Sequence, residues 1–83
     1  MYTVYILYSA QLDRYYTGFT STPIEIRLRK HLSIHKGFTG KTPDWVLKYK
    51  ETYADKKQAM QRERQIKAWK SRALIEHLIN SIS

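Results

Sequence analysis

Residues 2–8, YTVYILY, are β-branched and aromatic almost throughout, the composition of a strand. Alternation places Val4, Ile6 and Tyr8 on one face and Thr3, Tyr5 and Leu7 on the other. Ser9 to Arg14 is short and polar, which predicts a hairpin loop, and Tyr15 to Thr20 predicts a second strand. Gly18 stands inside that strand, where a glycine marks a bulge or a close approach of backbone or ligand. Ser21-Thr22-Pro23-Ile24-Glu25 then reads as a helix start. Thr22 can cap, Pro23 suits the first helical position, and Glu25 follows the cap by three residues. Ile24, Leu28 and Leu32 recur at every fourth position and form an apolar stripe.

Lys36 to Asp44 contains Gly37, Gly40 and Pro43 and predicts a loop, and Trp45 to Tyr53 alternates as a third strand. Asp55 caps a second helix over 56–70, with Gln58 in the capping-box position. A bend at Lys70-Ser71-Arg72 leads into a short third helix carrying Leu74, Ile75, Leu78, Ile79 and Ile82. The order β-β-α-β-α-α defines an α+β layer architecture but leaves strand pairing open. With no repeat, linker or low-complexity stretch, residues 1–83 read as one domain.

Charge narrows the partner. Fifteen Lys and Arg against seven Asp and Glu give a net charge of +8, which makes a polyanion, nucleic acid first, the expected partner. The alternative is that the charge serves solubility alone. No basic stretch carries an isolated apolar face, so binding to a membrane surface is not expected. Nor does any apolar run approach the roughly 20 residues of a membrane span. Met1-Tyr2-Thr3-Val4 lacks the charged start of a signal peptide. Cysteine is absent, which fits a reducing cytoplasm and leaves any metal to oxygen or imidazole, favouring Mg²⁺ or Mn²⁺ over structural zinc.

Few residues then carry candidate chemistry. Arg27 and His31 lie one helical turn apart, beside the apolar stripe. Arginine offers a planar fork of donors to phosphate, and histidine exchanges a proton near neutral pH. The alternative is a solvated basic helix face, which Arg29 and Lys30 occupy. Glu63 shares its face with Ala59 and Ile66, and a carboxylate in an inward stripe is costly unless a metal or basic partner compensates. Equally open is a sideways pair with Lys67, four residues on. Tyr5 and Tyr16 could reach neighbouring positions of one sheet face if the hairpin pairs antiparallel. The remaining acids look ordinary: Asp13 in a turn, Glu25 and Asp55 at caps, and Asp44, Glu51 and Glu76 without evident partners.

Taken in order, these residues resemble the GIY-YIG nuclease family. Thr3-Val4-Tyr5-Ile6-Leu7 stands where the family has its first motif and Tyr16-Thr17-Gly18 where it has the second, at the right interval. Arg27, His31 and Glu63 continue the order. The stretch Arg62 to Lys70 and Gly37-Phe38-Thr39 resemble the small stand-alone bacterial members, group UPF0213. The resemblance implies a three-stranded antiparallel sheet flanked by helices. It also implies that Glu63 ligates a single Mg²⁺ or Mn²⁺, that Tyr5 and Tyr16 position or deprotonate the attacking water, that Arg27 stabilises charge on the phosphate, and that His31 assists proton transfer or orients a tyrosine.

Departures from the family are Thr3 for Gly and Thr17 for Ile. Asn80 is the only candidate for a further polar residue near the C-terminus. The family's usual separate DNA-binding domain has no counterpart in these residues. The expected function is a metal-dependent DNA endonuclease in repair or recombination, with RNA a lesser possibility as substrate. The alternative is a non-catalytic nucleic-acid-binding module acting through Lys30, Lys36, Lys41, Lys67, Lys70 and Arg72, with strong salt dependence. A third reading is a protein-interaction domain whose charge is incidental. Oligomeric state is open at this level.

Overall fold

The computed structural model describes residues 1–32 and 44–81, with backbone alone for 30–32. Strand β1 is Tyr2–Ser9, β2 Arg14–Thr20 and β3 Val46–Tyr53; helix α1 is Ile24–Leu32, α2 Lys56–Trp69 and α3 Arg72–Asn80. The chain thus follows the expected β-β-α-β-α-α order, with β2 and β3 each starting one residue from the predicted start. Strand order is β2-β1-β3, and both pairings are antiparallel. The most apolar strand therefore lies at the centre, where its backbone is paired on both sides.

The alternation read from β1 divides the core in two. Val4 and Ile6 meet Tyr49 and the α2 residues Ala59 and Ile66, with Ile75, Leu78 and Ile79 of α3 packed against them. Tyr5 and Leu7 face the other way, onto Ile24 and Leu28 of α1 and onto Trp45. Full burial of an aliphatic side chain such as Ile6 or Leu7 contributes about 1.5–3 kcal/mol. Leu74 departs from the predicted apolar set and stays 47% exposed. It lies on the outer side of α3, whose other apolar residues already cover the sheet. Ile82 and the loop residues Gly37 and Gly40 lie outside the described residues.

Helix ends follow the predicted chemistry with one change. Asp55 caps α2 by accepting from Lys57 N, and Ser71 caps α3 by accepting from Leu74 N. Between them Lys70 adopts the left-handed conformation, φ 46°, which makes the predicted bend. At α1 the Pro23 carbonyl accepts from Ile26 and Arg27, while the Thr22 hydroxyl pairs with that of Thr20.

Several acids without evident partners in the sequence acquire them through contacts distant along the chain. Asp44 accepts from Ser9 Oγ and Gln11 N and closes the base of the hairpin loop. Glu51 accepts from Tyr49, Tyr53 and Arg62. Glu76 accepts from Tyr15 and Arg72, and Asp13 from Tyr8 and Arg72. Arg62–Glu51, Ser9–Asp44, Arg72–Asp13 and Tyr15–Glu76 join residues 11, 35, 59 and 61 positions apart, which is why no local pattern exposes them, whereas Arg72–Glu76 is a pair one helical turn apart.

Candidate active site

The hairpin register sets the site. Tyr5 is opposite Gly18 and Leu7 opposite Tyr16, so the two motif tyrosines are diagonal neighbours on the α1 face of the sheet. Tyr5 lies across Gly18: a Cβ on that residue would stand 2.7 Å from the Tyr5 hydroxyl oxygen and 3.2 Å from the Tyr16 ring. The strand glycine thus marks a close approach, of a side chain rather than of a ligand or backbone. Trp45, itself buried, meets the Tyr16 ring edge-on at 6.4 Å.

Helix α1 brings Arg27 to the same face, where its Nε donates to the Tyr5 hydroxyl at 3.4 Å. Burial pushes the Tyr5 phenol above its ordinary value, the Arg27 hydrogen bond pulls it partly back, and the charge of Glu63 adds to the rise. The same bond raises Arg27 further, so it stays a cation. Tyr5 has 0% of its surface exposed, whereas Tyr16 is half-buried and lines an open cleft. Access therefore distinguishes two residues that the motif treats alike.

Helix α2 contributes through its two flanks. Ala59 and Ile66 form its buried stripe. Arg62, on one flank, turns to Glu51 at 3.0 Å. Glu63, on the other, keeps only 17% of its side chain exposed and acts electrostatically on Tyr5. Glu63 sits beside the buried stripe rather than in it, and its carboxylate meets Lys67 Nζ at 3.7 Å, the sideways pair. Lys67 in turn lies 5.9 Å from the centre of the Tyr16 ring, within cation–π reach. Tyr5, Tyr16, Arg27 and Glu63 are thereby gathered from four elements.

The other sequence candidates fall differently. His31 and Lys30 are on α1, with side chains outside the described residues, and Lys36 and Lys41 lie outside them altogether. Lys70 lines the same cleft as Tyr16 and Lys67. Arg72 borders that cleft too, but it is held by Asp13 at 2.8 Å and Glu76 at 3.4 Å and lies over the rings of Tyr8 and Tyr15. Asn80 lines a different cleft with Tyr15, Lys48, Glu76 and Ile79 and is not brought to the tyrosine pair. Arg14, which sequence reasoning passed over, faces the Tyr16 cleft. Its place at the head of β2, two residues before Tyr16 and so on the same sheet face, was the available signal.

The family model of the GIY-YIG catalytic domain matches residues 1–76, and the chain belongs to that family. Membership carries a nuclease-type function with DNA as substrate, in a family that generally uses divalent metals. No curated protein and no solved structure matches the chain significantly. Among the described residues no helix is long and apolar enough to cross a membrane.

No group of three or more acidic, histidine or cysteine side chains that could cage a metal occurs among the described residues. Glu63 alone, half-buried beside the tyrosines, fits a hard cation that keeps most of its water and shares substrate phosphate oxygens, as Mg²⁺ does. It does not fit an all-protein metal cage.

Proposed function

We propose that this protein is a divalent-metal-dependent endonuclease that hydrolyses DNA phosphodiester bonds in the cytoplasm, in DNA repair or recombination. The observation that carries this reading is that Arg27 donates to Tyr5 while Glu63 holds Lys67, which lies over the ring of Tyr16. A nucleic-acid-binding module gains nothing from a half-buried carboxylate at that point, since phosphates repel it.

Each side chain has a task. Arg27, anchored through Nε by Tyr5, presents its terminal nitrogens as a fork that stabilises charge developing on the phosphate oxygens. Tyr5, fully buried, is a positioning residue acting through Arg27. Tyr16 reaches the cleft and takes the proton of the attacking water as the new P–O bond forms, passing its own phenolic proton on to solvent water. His31, one turn beyond Arg27, gives a proton to the oxygen that leaves as the old P–O bond breaks. Mg²⁺ or Mn²⁺, held by Glu63 and completed by water and phosphate, would polarise the phosphate and stabilise the leaving oxygen.

Cleavage of labelled duplex, single-stranded, flap and branched DNA, with Mn²⁺ or with EDTA, tests this. Metal-dependent cutting that disappears in Glu63→Gln is the expected result. Salt-sensitive binding without any cutting by the wild type would make the protein a binding module instead.

A further inference from the structure

A cleft of about 620 Å³ runs along the outer edge of β2, between the start of that strand, the last turn of α2 and the first turn of α3. Arg14 and Tyr16 line one side, and Ile66, Lys67, Lys70 and Arg72 the other. Asp13 is the one acid among its lining residues, and Arg72 already holds that carboxylate. The cleft therefore presents the charges of Arg14 and Lys70 around the tyrosine that borders the reactive site, with Lys67 shared with Glu63.

We propose that this cleft is the channel for an unpaired DNA strand leaving the scissile phosphate, with Arg14 and Lys70 as its phosphate-binding residues. The inference rests on the nucleic-acid reading above and adds the class of substrate: DNA with a single-stranded arm beside the cleavage point.

Three observations carry it. The first is size. A volume of about 620 Å³ matches one or two nucleotides. The second is composition. Cations flanking aromatic rings are the recurring means of holding single strands, phosphates on the charges and bases on the rings, and here half-buried Tyr16 lines the cleft between Arg14 and Lys70.

The third is the backbone of Lys70. It ends α2 in the left-handed region, φ 46°, where glycine is the favoured residue and a lysine is strained. Lys67 already supplies a basic residue to the last turn of α2, so the helix end gives little reason to keep the strain. A phosphate in the cleft beside it does. Lys67 joins cleft and site, since it touches both the Glu63 carboxylate and the Tyr16 ring.

Fluorescence anisotropy in EDTA, over a range of salt, separates this from general electrostatics and from catalysis. The DNAs are a blunt duplex and the same duplex with a single-stranded tail. The proteins are wild type, Arg14→Gln/Lys70→Gly, and Lys48→Gln/Lys50→Gln, which removes equal charge from β3 at the opposite edge of the sheet. The cleft variant should lose about tenfold in affinity for tailed DNA, with the slope of log K against log salt reduced by about 1–2. Its loss on blunt duplex should be no larger than that of the β3 control. Lys70→Gly alone should melt at or above the wild-type temperature, which shows that the loss is not unfolding.

Equal losses for the cleft and β3 variants would overturn the channel while leaving nucleic-acid binding intact. Equal losses on tailed and blunt DNA would overturn the unpaired-strand assignment. No salt-dependent binding of either DNA by the wild type would overturn the channel and the function proposed above together.

Discussion

The phenol of Tyr5 rests where the side chain of residue 18 would be, 2.7 Å from the position a Cβ would take. Because Tyr5 is fully buried, its ring has no room to swing aside. Gly18→Ala should therefore cost about 1–3 kcal/mol, the usual range for overpacking a filled core. Denaturant unfolding of Gly18→Ala, Tyr5→Phe and the double variant measures it. The double should lose less than the sum, because removing the hydroxyl relieves part of the clash.

The two tyrosines should separate kinetically. Loss of a proton acceptor removes about 10²–10⁴ of rate, so Tyr16→Phe should fall by that much in kcat. Tyr5→Phe should fall less, because the Arg27 fork loses its anchor but keeps its charge. Single-turnover cleavage of the two variants under identical conditions checks this: Tyr16→Phe should be the slower of the two.

Acid should unfold the protein through two carboxylates. Burial pushes the Glu51 carboxyl up, but hydrogen bonds from Arg62, Tyr49 and Tyr53 outweigh it and set it below its ordinary value. Hydrogen bonds from Arg72 and Tyr8 hold Asp13 at about 2, against an ordinary 3.8. Both groups are depressed in the fold, so their stabilisation is complete above the unfolded values and lost as pH falls through the folded ones. Stability should thus decline from about pH 4.5 towards pH 2. Urea midpoints between pH 7 and 2 measure it, and Glu51→Gln should shrink the decline while lowering stability at pH 7 by roughly 1–3 kcal/mol.

Tyr49, which donates to the Glu51 carboxylate, shifts the other way overall. Burial first, then the Glu51 carboxylate, pushes its phenol up to about 12. The neutral phenol is what the fold stabilises, so that contribution holds below pH 10 and disappears as pH rises towards 12. Ultraviolet titration of phenolate should show a late component in the wild type, and Glu51→Gln should bring part of it earlier.

Arg72 ties α3 to the hairpin loop through Asp13 and lies over Tyr8 and Tyr15. Arg72→Lys keeps the charge but not the planar fork that serves two carboxylates and two rings. Amides of α3 should exchange faster with solvent in Arg72→Lys, and those of β1 should not.

The elements of this protein were legible in its sequence because each is written locally. Alternation in YTVYILY separated Tyr5 from Val4 and Ile6, and those faces became the two sides of the core. Asp55 announced the start of α2, and Gly18 announced that something would come close to β2. Charge pointed to a polyanion, and the ordered tyrosines, arginine and acid pointed to the family that residues 1–76 match.

Tertiary structure decided what depends on residues far apart in the chain. Only the antiparallel register lays the Tyr5 ring over Gly18 and sets Tyr16 beside it. Only the packing of α1 hands Arg27 to Tyr5, and only the docking of α2 sets Lys67, with Glu63 beside it, over Tyr16 while Arg62 goes to Glu51. Burial is likewise a property of the assembled sheet: it encloses Tyr5 and leaves Tyr16 open to the cleft, although the two have the same side chain. The physical reason is range. Propensity and periodicity act over a few residues and fix the elements, whereas contact, solvent exposure and charge coupling depend on distance in space, which the folded chain alone sets.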